Sequence, residues 1–201
     1  MPPKCKFTRA EVIESAFNIA RTSGFEAITA RSLGDRLGSS PRPVFSLFRS
    51  MEEVLAEVKA SARALYNTYI EEGLQQTDMP AFKGVGTGYI RFALEEPKLF
   101  QLLFMREQEE KPTLSGILPV IDDNYGQILT SVQRLYSLGP GLSERFYRHL
   151  WIYTHGIAVL CATNMCTFTG EEISRMLTEV CTALLKSMQS GSSKPENIKS
   201  K

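Results

Sequence analysis

The sequence predicts an all-α protein, and three observations carry that reading. Apolar residues recur at alternating three- and four-residue steps along most of the 201 residues, the repeat of helices packed on one side. At three places a Ser or Thr followed three residues later by Glu stands at the start of an apolar helical repeat, at Thr8/Glu11, Ser50/Glu53 and Thr169/Glu172. Each pair can cap a helix N-terminus reciprocally, side chain to backbone N–H in both directions. No convincing run of alternating apolar and polar residues, the mark of a half-buried strand, interrupts the pattern.

Taken in order, Thr8 opens a first helix whose buried face holds Val12, Ile13, Ala16, Phe17 and Ala20, and Gly24 stands where a left-handed C-cap is wanted. Thr29 caps a second helix with Leu33 and Leu37 on its inner face and Gly38 at its end. Ser40-Pro41 starts a third, short helix bearing Val44, Leu47 and Phe48. Only Gly38 and its neighbours separate the second helix from the third, and such a turn between two short helices is the helix-turn-helix arrangement. Ser50 opens a long helix running to about Gly73, and Thr77-Asp78-Met79-Pro80 reads as a break. A helix then covers roughly Ala81 to Leu94, and Pro97 suits the first turn of the next.

One helix is expected over Leu114–Leu138, irregular at Pro119 and closed by Gly139-Pro140-Gly141. Another runs from Ser143 to about Asn164, and the last carries Ile173, Met176, Leu177, Val180, Cys181, Leu184, Leu185 and Met188. From Gly191 onward Ser, Lys, Pro and Asn without apolar residues read as a disordered tail. The expected organisation is therefore a three-helix head over 1–50, a connecting helix over 51–75, a helical body over 76–190 and a tail over 191–201.

Hydrophobic residues make up 43% of the chain and charged ones 22%, a balance able to bury a core. With 23 Lys and Arg against 22 Asp and Glu, the chain is neither a histone-like polycation nor an acidic disordered protein. Apolar stretches break before the roughly 18 residues a membrane span needs, and the opening MPPKCKFTR has no signal-peptide core. A cytoplasmic protein with no membrane partner is expected. Cys5, Cys161, Cys166 and Cys181 show no C-x-x-C pair and no metal-ligand spacing, so reduced thiols are expected and neither metal nor cofactor. Cys161 and Cys166 read as small buried hydrophobes.

His149 and His155 do not share a helical face, and His155 reads as a hydrogen-bonded core or pocket residue. The Gly84-Val85-Gly86-Thr87-Gly88 run imitates a phosphate loop but lacks a preceding strand and a Gly-Lys-Ser/Thr ending. With no G-x-S-x-G, metal triad or supported carboxylate pair, an enzyme is not expected. Charge, finally, is uneven along the chain. Residues 1–50 carry eight bases against four acids, a net +4, which leaves −3 for the remainder. A basic first quarter on an acidic body suggests a head that faces nucleic acid.

Residues 16–55 read AFNIARTSGFEAITARSLGDRLGSSPRPVFSLFRSMEEVL. An aromatic follows a helix-ending glycine at Gly24-Phe25, and Ile28-Thr29 leads into Leu33. Then come Leu37-Gly38 at the turn, Ser40, Val44-Phe45, Phe48, and an acidic first turn at Glu52-Glu53. This ungapped stretch resembles the DNA-binding domain of the TetR/AcrR transcriptional regulators. The remainder, with Trp151 separated by three residues from His155-Gly156, resembles a C-terminal ligand-binding domain type of the same family. The resemblance implies a homodimer that binds a double-stranded DNA operator, acts most often as a repressor and answers to a small-molecule effector. Two positions depart from the pattern. Pro43 stands where a small residue is usual, so the recognition helix is expected to begin a residue or two late. Met51 stands where a lysine is often found near the phosphates.

Arg42 is the candidate for direct readout, because a guanidinium bonds guanine O6 and N7 bidentately. Thr29 and Arg31, at a helix N-terminus, are candidates for phosphate, and Ser40, Phe45 and Ser46 for backbone or thymine-methyl contacts. The competing reading makes Arg31 and Arg42 solvated surface charges and Phe45 a core residue. Lys4 and Lys6 read either as an arm near DNA or as an inert terminus. In the body, Phe92, Phe104, Tyr125, Trp151 and His155 are expected to line an apolar effector pocket. As the resemblance implies, the faces Phe146–Leu150–Tyr153–Ile157 and Ile173–Leu177–Val180–Leu184 should pair with their symmetry mates. The alternatives are a helical interaction module that has lost DNA binding, or a small helical enzyme.

Overall fold

The computed structural model describes residues 7–76, 81–107, 111–114, 116–121 and 124–191, and among them are ten α-helices and no strand. The chain is all-α. The break at 77–80, Lys4, Lys6, Cys5 and the tail beyond 191 lie outside the described residues.

Helix α1 (Arg9–Ser23) begins at the expected capping box: the Thr8 N–H donates to Glu11 Oε2 at 2.7 Å, and the Glu11 N–H donates to Thr8 Oγ1 at 3.3 Å. The Thr8 N–H, and after it the Thr8 hydroxyl donating to the same Oε2 at 2.9 Å, hold the Glu11 carboxyl below the usual carboxylate range. The helix closes at Gly24, whose φ of 91° favours a residue without Cβ. A single 3-10 turn (Phe25–Ala27) leads to α2 (Ala30–Arg36), a tight turn and α3 (Arg42–Leu47). Long α4 (Met51–Leu74), α5 (Ala81–Glu95) and α6 (Pro97–Phe104) follow, the last with proline in its first turn.

Two boundaries differ from the sequence reading. The single helix expected over 114–138 is two, α7 (Ile117–Ile121) and α8 (Tyr125–Tyr136), with Asn124 as the N-cap of α8. The Asn124 backbone stands apart from the helix, at φ −93° and ψ 7°, with no side-chain cap bond. Helix α9 (Pro140–Ala162) starts three residues early, since Pro140 needs no N–H partner in a first turn. Helix α10 (Gly170–Gly191) opens at the third capping box, Thr169 with Glu172, as expected.

The chain divides into two compact units that are not contiguous in sequence: Met1–Tyr69 with Arg91–Gln108, and Ile70–Ile90 with Glu109–Lys201. In the first, Val12, Ala16, Leu33, Val44, Val54 and Val58 are fully buried, and Tyr66, Phe92, Phe100 and Phe104 pack edge to face or tilted at 5.0–6.5 Å. An ion pair fastens α6 to α1 there. Arg21 Nε donates to Glu96 Oε2 at 2.7 Å, its Nη2 reaches Oε1, and Glu96 is 6% exposed. A bidentate pair of this kind fixes orientation as well as distance. It helps to place residues 91–108 in the same unit as the three-helix head.

In the second unit Phe82, Tyr136 and Phe146 form an aromatic cluster at 5.5–6.0 Å, beside fully buried Ile128 and Val132. Here α4 and α5 cross at two glycines. A Cβ on Gly84 would lie 2.0 Å from the Gly73 carbonyl oxygen, and one on Gly73 would lie 2.3 Å from that of Gly84. The glycine-rich run of α5 is thus helical, and its first glycine serves helix packing.

Candidate functional site

The first unit presents the residues the sequence singles out for DNA. The turn between α2 and α3 is set by Gly38, in the left-handed region at φ 61°, and by a close approach at Gly34. A Cβ on Gly34 would stand 2.9 Å from the Ser39 carbonyl oxygen and 3.1 Å from the Pro41 nitrogen. Helix α3 begins at Arg42, one residue beyond Pro41, and is only six residues long. Val44 and Phe48 anchor it in the core, while Arg42, Phe45 and Ser46 are exposed. Those three stand at i, i+3 and i+4 and share one face. Phe45 is 53% exposed, which settles against its being a core residue.

Thr29, Arg31 and Ser40 are exposed as well. Thr29 is committed to capping α2: its Oγ1 accepts from the Ser32 N–H at 3.0 Å, and its N–H donates to Ser32 Oγ at 3.0 Å. Ser46 donates its hydroxyl to the Pro43 carbonyl at 2.8 Å. The arginines are differently placed. Among the described residues, Arg31, Arg36 and Arg42 form no ion pair with a carboxylate. Arg36 is exposed on the last turn of α2; the sequence pattern does not single it out, although its charge belongs to the basic head.

A clamp holds this face in place. Arg9 donates through Nη1 to the Leu47 carbonyl at 2.7 Å and through Nη2 to Glu53 at 3.0 Å and to Glu57, with its guanidinium 4.1 Å over the Phe48 ring. Glu53 also accepts from the Arg49 N–H at 2.7 Å. That bond first, and Arg9 second, hold the Glu53 carboxyl below the usual range. So Ser50/Glu53 is not the reciprocal box expected: Ser50 Oγ accepts from the Glu53 N–H at a long 3.4 Å, and the carboxylate serves the clamp. The partners lie 38 to 48 residues from Arg9, and a local pattern cannot announce them.

The five residues expected to line one pocket are divided between the two units. Phe92 and Phe104 belong to the aromatic core of the first unit. In the second, Tyr125 stacks on Tyr147 at 6.2 Å, and Trp151 stacks on His155 at 4.9 Å. His155 Nδ1 shares a 2.8 Å hydrogen bond with the Tyr89 hydroxyl, and burial pushes its pKa below the ordinary value. The second unit holds instead a cavity of about 320 Å³ between α5, α8, α9 and α10, walled by Phe82, Tyr136, Leu150, Leu177 and Leu185, with Lys83 beside Thr178. None of the five expected residues lines it.

The apolar faces of α9 and α10 also differ from expectation. Of the two faces expected to pair between subunits, Phe146, Leu150, Ile157, Ile173 and Leu177 are at most 7% exposed within one chain, because α9 packs on α8 and α10. The outer surface of α9 carries Ile152, 47% exposed, with Tyr153, Gly156, Val159 and Leu160, alongside Met176 of α10. Cys161 is buried as expected, but Cys166, just past the end of α9, is exposed. Among the described residues no three His, Cys, Asp or Glu side chains gather as metal ligands, and no helix is long and apolar enough to cross a membrane. No protein-family model matches the chain, and no curated protein matches it.

Proposed function

We propose that this chain is a cytoplasmic, homodimeric, ligand-responsive DNA-binding regulator of the TetR/AcrR kind, acting as a repressor. One observation carries the DNA part: Arg31, Arg36 and Arg42 lie exposed and without carboxylate partners among the described residues, on a short helix, turn and short helix whose packing is otherwise complete. Guanidinium groups held this way suit phosphate oxygens and guanine edges, and α3 is the element for the major groove. Selection from a pool of random duplexes by the purified protein tests the reading. One pseudo-palindromic sequence should be enriched, and no enrichment overturns it. The six-residue length of α3 favours a second reading, a helical interaction module whose head no longer grips DNA, and the same selection separates the two.

On the enriched duplex, Arg42→Ala should weaken binding by about 1–3 kcal/mol and flatten the preference at one base pair per half-site. Equal weakening on every sequence would make Arg42 a phosphate contact instead.

The dimer surface follows from the exposed side of α9. Ile152, Gly156 and Val159 with Met176 form an apolar strip of one helix pair, and a two-fold copy of that strip is its natural cover. Sedimentation at micromolar concentration should give near twice the 22.5 kDa chain mass. Ile152→Glu, at a site 47% exposed and so without cost to the monomer fold, should sediment as a monomer. A wild-type monomer, or an unaltered Ile152→Glu dimer, removes this interface.

A further inference from the structure

We propose that the cavity between α5, α8, α9 and α10 binds a small monocarboxylate with an apolar tail, the Lys83 ammonium taking the carboxylate at the mouth. Only the consequence for DNA rests on the regulator reading above; the binding does not. The volume sets the size of the ligand. At about 320 Å³ the cavity lies at the lower end of ligand pockets, and at about 30 Å³ for each water-sized unit it has room for roughly ten non-hydrogen atoms.

The wall then selects the tail. Phe82, Leu150, Leu177 and Leu185 offer only apolar surface. The threonine hydroxyls in the wall have given their protons to backbone carbonyls one turn back: Thr154 to Leu150 at 2.8 Å, Thr178 to Ser174 at 2.7 Å and Thr182 to Thr178 at 2.8 Å. The Tyr136 hydroxyl sits 3.6 Å from Cys181 Sγ. A ligand rich in acceptors would leave them unpaired over most of this surface, which is costly.

The mouth selects the head group. Lys83 is the lining cation, and no Asp or Glu lines the cavity with it. Among the described residues its ammonium has a 3.5 Å contact to Thr178 Oγ1 and no carboxylate partner. Three N–H donors serve that group, so two remain for an anion. Thr178 and Thr182 are exposed, which puts the opening beside Lys83.

Gly86 points independently to the same space. Glycine weakens a helix interior, yet nothing crowds this one. A Cβ there would meet Thr154 Cγ2 at 3.7 Å and Leu177 Cδ1 at 3.9 Å, ordinary contacts. Unlike Gly84, it is not required by packing; its missing side chain leaves open space in the cavity wall.

Octanoate, which has ten non-hydrogen atoms, is the probe, with octanol and octylammonium as its uncharged and cationic counterparts, each titrated calorimetrically into the full chain. Octanoate should bind at least tenfold more tightly than octanol, and octylammonium not at all. Lys83→Met should remove the preference for octanoate over octanol while octanol still binds. Gly86→Leu should fill the cavity and abolish both; its circular dichroism reports the fold, and Gly86→Ala, weakening octanoate without lowering the melting temperature, serves if the larger side chain is not tolerated. Absence of octanoate binding, a preference that survives Lys83→Met, or unchanged binding in a folded Gly86→Leu overturns the site. Octanoate should also release the wild-type chain from its selected duplex. Release without calorimetric binding overturns this site and leaves the regulator reading standing. Binding without release supports the site and overturns its regulatory use.

Discussion

Gly84→Ala should lower the stability of the chain by about 3 kcal/mol, a large share of the about 5–15 kcal/mol by which a domain is stable. The added methyl would stand 2.0 Å from the Gly73 carbonyl oxygen and 2.8 Å from its carbon. Both are backbone atoms, so no rotamer change relieves the overlap and α4 must move away from α5. Opposing this, alanine is the better helix former by about 1 kcal/mol. The sign of the measured change therefore decides which effect wins. Gly86→Ala is the internal control, because it adds the same methyl to the same helix with nothing nearer than 3.7 Å. Urea midpoints should fall for Gly84→Ala and hold or rise for Gly86→Ala. A midpoint that rises for both would mean that the helices do not cross this closely.

The contrast between these two glycines shows what a sequence can announce and what it cannot. Helix starts are legible wherever the signal is local. Thr8 with Glu11 and Thr169 with Glu172 cap as their spacing predicts, since all partners lie within one turn. The same spacing misleads at Ser50 and Glu53, where the Arg49 N–H takes one carboxylate oxygen and Arg9, from 44 residues away, the other. Glycines 84 and 86 look alike in the chain, and only the path of α4 distinguishes the one that must be bare from the one that leaves a hole. The exposed arginines of α2 and α3 are legible as charge, because surface residues answer to no partner. The pocket is not. Large aromatics are expected around it, yet Phe92 and Phe104 fill a core of their own, and the open space lies where a glycine and several threonines are small.

Affinity for the selected duplex should fall roughly a hundredfold as salt rises about fourfold from low to physiological concentration. The magnitude comes from counting phosphates. If Arg31 and Arg36 each neutralise one phosphate, a dimer neutralises about four, and at about −0.9 per phosphate the log–log slope is about −3.6. The chain as a whole is nearly uncharged, at +1, so the slope reports the local face and not net attraction. Position on that face then separates the arginines. Arg31→Ala or Arg36→Ala should each make the slope shallower by about 2, with one phosphate fewer neutralised by each protomer, and weaken all duplexes alike. Arg42→Ala should leave the slope close to that of the wild type while it flattens the choice of base, because a guanidinium on a guanine edge replaces no phosphate counterion. Arg9→Ala acts by another route. It frees Glu53 and Glu57 and unties the Leu47 carbonyl, so the end of α3 loosens and affinity falls with the slope unchanged. A slope near zero for the wild type would rule out phosphate binding by this face, and with it the reason for three arginines without carboxylate partners on one short pair of helices.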